Sequence, residues 1–281
     1  MPENWTVSIF KAILTVMLKK KLHSTDLSVS CLGLGTVKFG RNEQVKYPTK
    51  FVLPSDDKIE QLLELARDLG INMLDTAPAY GSSETRLGPV LKGQRDDWVI
   101  VSKAGEEFID GKSVFDFSKS GVIESVERSL RRLQTDRIDA VLLHSNGEDL
   151  QILDESGAVE ALMELKQAGK ILSAGISTKT VEGGVRAVEL GLDCVMVTYN
   201  PWHREEETVL DEAEGRCSVF IKKAFGSGWF GDGELSEKFD SPVHEAFDFI
   251  FRHPAATAVI SGTINPAHLK KNADTICRVL N

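Results

Sequence analysis

The sequence predicts a single α/β domain of the (β/α)8 TIM-barrel class, and three observations carry that prediction. Short apolar runs alternate eight times with amphipathic stretches from Cys31 onward. Strict alternation implies parallel strands joined by right-handed crossovers, and eight such units in a chain of 281 residues suit a closed barrel better than an open doubly wound sheet. No linker-like or low-complexity stretch divides the chain, and no GxGxxG stands between a strand and a helix. The glycine clusters Gly33-Leu34-Gly35 and Gly226–Gly233 lack that spacing, which disfavours an open dinucleotide-binding sheet.

Taken in order, the expected strands are Cys31–Thr36, Ile71–Asp75, Trp98–Ser102, Ile138–His144, Ile171–Ser177, Asp193–Thr198, Ser218–Lys223 and Thr257–Gly262. In Asp56–Leu69 the residues Ile59, Leu62, Leu63, Ala66 and Leu69 fall on one helical stripe. Val122–Leu133, Gly157–Ala168, Val181–Leu190 and Pro266–Val279 behave alike. Gly70, Gly169 and Gly191 follow helical patterns directly, as C-terminal caps do, and Asn265-Pro266 supplies a capping side chain and then proline at the first helical position.

Ahead of the barrel, Trp5–Leu18 is mostly apolar and is followed by Lys19-Lys20-Lys21. The charge order is wrong for a secretory signal, and the run is too short to span a bilayer. Ile9, Ile13, Val16 and Met17 suit one helical face, so residues 1–22 are expected to form an accessory, amphipathic helical segment before a single barrel domain over 23–281. Two loops look long, Gly40–Pro54 and Ala224–Pro242. Their aromatics, Tyr47 and Phe51 in the first and Phe225, Trp229, Phe230 and Phe239 in the second, are candidates for the walls of a substrate pocket.

Composition narrows the function. The net charge is −9 with a pI near 5.3. That leaves no basic excess to neutralise phosphates and excludes a nucleic-acid partner as the main reading. Cys31, Cys194, Cys217 and Cys277 form no CxxC pair, and three of them lie in or beside apolar runs. They read as buried thiols of a cytoplasmic protein in a reducing compartment. His23, His203, His244 and His253 are scattered, so no metal site is expected.

The chemistry lies where three successive apolar runs stop. Leu74-Asp75-Thr76-Ala77-Pro78-Ala79-Tyr80-Gly81, Val101-Ser102-Lys103-Ala104-Gly105 and Leu142-Leu143-His144-Ser145 each end in a polar group. In a parallel barrel such positions form the C-terminal rim, where active sites are built. Reduction of a carbonyl needs a hydride donor, a proton for the oxygen and a group to hold that oxygen. Tyr80 can supply the proton, and with an ordinary pKa of about 10 it is expected to be acidified by a nearby ammonium. Lys103 is that ammonium, Asp75 can pair with it and offset its burial, and His144 can donate a hydrogen bond to the carbonyl oxygen.

Together with Gly33-Leu34-Gly35-Thr36 and Gly175-Ile176-Ser177, these segments resemble the aldo-keto reductase superfamily, in order from about Leu22 to the end. The stretch from Lys38-Phe39-Gly40-Arg41-Asn42 to Tyr47-Pro48 is similar to a bacterial-type, uncharacterised subgroup. The resemblance implies a barrel that binds NAD(P)H without a Rossmann domain and reduces aldehydes or ketones. It implies Asp75, Tyr80, Lys103 and His144 as the catalytic set. Thr36 and Asp75 would then lie near the cofactor and Ser177 at the nicotinamide carboxamide, with Thr263, His268 and Asn272 at the adenosine phosphate and adenine. The helix beginning at Pro266 would offer N–H groups to an anion.

Departures from the pattern are Thr178 after the serine, Met196 in place of a common glutamine with Thr198 and Asn200 as polar neighbours, Lys222 where an aromatic usually stacks on the nicotinamide, and His268 in place of an arginine. Thr263 and Lys270 or Lys271 could take over from that arginine, so NADP(H) is favoured over NAD(H). The expected partner is a small-molecule carbonyl substrate, with neither nucleic acid nor membrane. Two other readings compete: a cofactor-binding, redox-sensing regulatory module with little turnover, and an aldolase forming a Schiff base at Lys103.

Overall fold

The computed structural model describes residues 16–45, 47, 50–226 and 242–281. Most of the expected helix over Trp5–Leu18 lies outside the described residues, as do Trp229, Phe230 and Phe239. Its expected helical face does not reach Val16 and Met17, which are irregular, and the basic cluster that follows is a strand, β1 (Lys19–Lys21). β1 pairs antiparallel with β2 (Ser28–Ser30). This hairpin closes the N-terminal end of the barrel, because the apolar side chains beside it, Leu22 and Val29, turn into the barrel interior.

Eight parallel strands then close on themselves: β3 (Leu32–Gly35), β4 (Met73–Asp75), β5 (Val99–Ala104), β8 (Ile138–His144), β9 (Ile171–Ser177), β10 (Cys194–Thr198), β11 (Ser218–Lys222) and β12 (Ala256–Ser261). All eight expected strands are present, within two residues of their expected ends. Two more, β6 (Glu106–Ile109) and β7 (Lys112–Phe115), form an antiparallel hairpin that rises from the end of β5. The turn residues Asp110 and Gly111 both have positive φ, 48° and 76°, the pair of left-handed residues that a two-residue hairpin turn needs.

The helices that cover the barrel are α1 (Val37–Gly40), α2 (Asp56–Asp68), α3 (Ser83–Leu91), α4 (Lys119–Leu133), α5 (Asp149–Asp154), α6 (Ala158–Gln167), α7 (Val181–Glu189), α8 (Glu207–Ala213), α9 (Pro242–Phe251) and α10 (Pro266–Leu280). The longer helices lay apolar stripes inward; in α2 the buried residues are Ile59, Leu62, Leu63 and Ala66, the stripe read from the sequence. Ser118 caps α4 by accepting from the Gly121 N–H, and Asn265 caps α10 by accepting from Ala267 and His268. All four cysteines are buried and free. Among the described residues no helix is long and apolar enough to cross a membrane.

The two-residue period of a strand sets what the barrel can do. Val99 and Val101 of β5, Ala140 and Leu142 of β8, Met73 of β4, Cys194 and Met196 of β10 and Phe220 of β11 fill the interior as one apolar cluster. The next inward position on each of these strands is polar: Lys103, His144, Asp75, Thr198 and Lys222. The apolar layers make a solid plug, and the polar layer lies on top of it at the C-terminal mouth.

Candidate active site

Strand register brings the four expected catalytic residues together. Asp75 ends β4 opposite Val101, Lys103 lies two residues further along β5, and His144 ends β8 opposite Ser177. Lys103 Nζ donates to Asp75 Oδ1 at 2.5 Å and to the Thr76 carbonyl at 3.0 Å, with both side chains of the pair nearly inaccessible. Tyr80 reaches them from a single 3-10 turn, Pro78–Tyr80, and its hydroxyl donates to Asp75 Oδ2 at 3.2 Å. The Lys103 ammonium lies over the Tyr80 ring, 4.7 Å from its centroid, and the His144 ring stands edge-on to Tyr80 at 6.2 Å. Tyr80 and His144 keep partial exposure to the mouth, while Asp75 and Lys103 do not.

The turn that carries Tyr80 depends on close backbone approach. Gly81 has φ 62°, and a Cβ there would lie 2.3 Å from the Gly40 carbonyl oxygen; a Cβ on Gly40 would lie 2.4 Å from the Tyr80 carbonyl oxygen. Gly81→Ala is therefore expected to cost about 2 kcal/mol of stability and to lower turnover by displacing Tyr80. Urea denaturation and steady-state rates check this, and unchanged values of both would show that the turn yields.

One expectation about Tyr80 is corrected. Its pKa is not lowered by Lys103 but raised well above 10, first by burial and then by the Asp75 charge and hydrogen bond, with Tyr47 and Glu106 adding to it. The physical reason is placement: the Asp75 carboxylate touches both the ammonium and the phenol, so the nearest full charge to the hydroxyl is negative. In the free protein Tyr80 is held as the neutral phenol.

His144 has a partner that the sequence analysis missed. Its Nδ1 lies 2.7 Å from Glu106 Oε2, a close polar contact that falls short of hydrogen-bond alignment. Ser113 donates to the other Glu106 oxygen at 2.6 Å. Burial, then the charges of Lys103 and Lys222, push the His144 pKa down, with Glu106 opposing; the ring is neutral at pH 7. Although burial acts to raise it, Glu106 is held well below the ordinary carboxylate range by His144, Ser113 and Arg41. The next residue, Glu107, points the other way and pairs with Arg132 (2.7 Å) and Arg128 (3.1 Å) of α4. Alternation along β6 thus anchors the hairpin to α4 through one glutamate and presents the other to His144. The Asp110-Gly111 pair was a readable turn signal for this element.

The expected cofactor residues divide. Ser177 is at the mouth, where it accepts from Lys222 Nζ at 3.0 Å, and Lys222 also donates to the Thr178 carbonyl. Thr36 is fully buried, donating to the Asp75 carbonyl and accepting from Ser83, so its hydroxyl is committed to holding β3 against β4. The Thr178 hydroxyl turns to Glu206, a buried carboxylate that also accepts from the Thr198 N–H. Asn200 is likewise engaged in its own loop, bonding the Lys223 carbonyl and the Trp202 N–H. Asn272 donates to Ser261 at 2.9 Å, Thr263 accepts from the Asn265 N–H, and His268 is exposed on the first turn of α10. The expected free N–H groups of that turn are in use: Pro266 has none, and Asn265 takes those of Ala267, His268 and Leu269.

Tyr47 reaches the mouth from the first long loop. A Cβ on Gly262 would meet its hydroxyl at 3.1 Å, its ring stands edge-on to Phe51, and burial and then the Asp75 charge push its pKa up to about 12. A cavity of about 540 Å³ opens at the opposite end of the barrel, beside Lys20, His23 and Cys217. It is remote from every group above and holds none of this chemistry. No grouping of His, Cys, Asp or Glu suited to a metal ion occurs among the described residues.

Comparison with known proteins identifies the family of this barrel. The aldo/keto reductase family model matches residues 31–222. An uncharacterised oxidoreductase of Bacillus subtilis, YqkF, is 37% identical over 293 residues, covering 91% of this chain and 90% of that protein. The crystal structure of a putative aldo-keto reductase of Pseudomonas aeruginosa, PA4992, is 49% identical with a TM-score of 0.83, covering 94% of this chain and 96% of that one. The holo form of aldo-keto reductase AKR11C1 from Bacillus halodurans is 28% identical with a TM-score of 0.78, covering 92% and 91%. With the closed eight-stranded barrel and the polar layer at its mouth, these matches identify the chain as a member of the aldo-keto reductase family, an NAD(P)H-dependent oxidoreductase.

Proposed function

We propose that the protein reduces small aldehydes or ketones to alcohols at the Asp75–Tyr80–Lys103–His144 centre, with Tyr80 as the general acid. The observation that carries this reading is the Tyr80 hydroxyl at the mouth, 3.2 Å from a carboxylate that is itself bound to a buried ammonium. A reduced nicotinamide, when bound, would supply the hydride for the carbonyl carbon. The Tyr80 hydroxyl turns from Asp75 to the carbonyl oxygen and gives up its proton there as negative charge develops. Lys103, over the ring, offsets the charge left on the phenolate, and Asp75 holds Lys103 in place. His144, with Nδ1 facing Glu106, lines the pocket for the same oxygen and helps to orient it.

The residues present fit the dinucleotide. Polar groups stand on the β9–β12 half of the rim at Ser177, Lys222, Ser261 and Asn272, and Gly262 leaves the rim bare where a Cβ would meet Tyr47. Exposed His268, Lys270 and Lys271 at the start of α10 suit the phosphate end and favour NADPH over NADH. The test is loss of reduced-nicotinamide absorbance with a panel of activated aldehydes, NADPH against NADH. No turnover with either would remove the reading.

A positioning role follows for Glu106. Glu106→Gln is expected to lower kcat/KM about tenfold while cofactor affinity stays unchanged. Glu106 acts to raise the His144 pKa, so its loss shifts the His144 titration, followed by NMR, to still lower pH. An unmoved titration would show that the hairpin acts only as scaffold.

A further inference from the structure

Lys222 is a charged group of the mouth to which this mechanism gives no part in the proton or hydride transfer. It ends β11 opposite Thr198 and reaches over β10 to donate to Ser177 Oγ, at the end of β9, at 3.0 Å and to the carbonyl of Thr178, the residue after it. Among the described residues no carboxylate lies within ion-pair distance of it, in contrast to Lys103, which has Asp75 at 2.5 Å. The charged groups facing it are Glu206 before α8, Lys223 beside it, Asp149 at the start of α5 and Lys103 across the mouth, and its own charge is felt at His144. Lys222 and the reacting centre therefore share one space, and Lys222 adds a positive charge to it.

Hydride transfer requires the nicotinamide carbon to come within about 3.5 Å of the carbonyl carbon. A ring that reaches a carbonyl held by Tyr80 and His144 must enter this mouth and approach the wall that carries Lys222. The dihydronicotinamide ring is neutral, whereas the oxidised ring carries a full positive charge. We propose that Lys222 is a redox-state selector, an ammonium in the wall of the mouth that admits the reduced nicotinamide and repels the oxidised one. This rests on the cofactor reading given above.

The consequence is kinetic as much as thermodynamic. The protein draws reduced cofactor from a mixed pool and sheds the oxidised form quickly after each turnover. The cost falls on the hydride step, which is less downhill inside the complex because the product ring is destabilised there. Burial pushes the Lys222 pKa down to about 8, with Glu206 opposing. The sign follows: the ammonium is present below pH 8, where selection is full, and selection fades as pH rises through that value.

Isothermal titration of the whole protein with reduced and oxidised dinucleotides, in both phosphorylated and unphosphorylated form, tests this without turnover. The wild type is expected to bind the reduced form on the order of tenfold more tightly at pH 7 and to lose most of that ratio at pH 9.5. Lys222→Met should show the small ratio at both pH values, and Lys222→Arg, which keeps its charge, the large ratio at both. Tight binding with the same ratio in wild type and Lys222→Met would overturn this inference alone. Failure of the wild type to bind any of the dinucleotides would overturn the cofactor reading, and this one with it.

Discussion

Tyr80→Phe is expected to lower kcat/KM for carbonyl reduction by about 10²–10⁴-fold while leaving dinucleotide affinity within about twofold of wild type. The substitution removes one hydroxyl that lies at the mouth and makes a single described side-chain bond, to Asp75. The ring stays, and with it the contact with Lys103 and the edge-on contact with His144. The fold should therefore be unaffected, and the loss reports the proton alone. Stopped-flow measurement with cofactor prebound isolates that step. A rate within about threefold of wild type would assign the proton to another group or to water. Because burial and Asp75 raise the Tyr80 pKa above 10, Tyr80 is a full donor throughout the neutral range, and its own ionisation removes activity only at strongly alkaline pH.

Lys103→Met is expected to carry the largest stability cost of any single change at the site, about 3–5 kcal/mol. Both members of the Lys103–Asp75 pair are buried, with relative side-chain exposures of 2% and 4%. Removing the ammonium leaves a carboxylate at the top of an apolar plug, with the Tyr80 hydroxyl as its remaining described side-chain partner. The double variant Asp75→Asn with Lys103→Met should recover a substantial part of the loss, because no uncompensated charge is then buried. A urea double-mutant cycle measures the coupling. Additivity within about 0.5 kcal/mol would show that the pair is not coupled. Activity should fall in all three variants, since Asp75 and Lys103 together set where the Tyr80 hydroxyl points and what charge its phenolate meets.

The barrel was legible because its signals are local and repeated. A parallel strand buried on both faces must be apolar along its length, a covering helix must carry a stripe, and eight repetitions leave few other topologies. The four proposed catalytic residues could be picked out for a related reason. Asp75, Lys103 and His144 are each the first polar inward position after an apolar run, positions that converge at one end of a parallel barrel, and Tyr80 follows Asp75 on the turn Pro78–Tyr80. What escaped was built from contacts that cross the chain. Glu106 looks like one acid in a surface loop until the β6–β7 hairpin, pinned to α4 through Glu107, sets it against His144. Thr36, Thr178 and Asn200 sit at the right rim positions, but their side chains are spent on neighbouring backbone and side-chain groups.

The sequence by itself determined the barrel, the identity of the groups at its mouth and the reaction class they suit, since these follow from residue type and strand period. Only the tertiary structure decided the charge state of those groups. Spacing along the chain places Tyr80 and Lys103 near one another, but it cannot say that Asp75 stands between the ammonium and the phenol and raises the Tyr80 pKa. Nor can it say that Lys222 reaches Ser177 with no described carboxylate beside it. Electrostatic energies depend on separations of a few ångströms and on burial, and both are fixed only when distant parts of the chain are packed together.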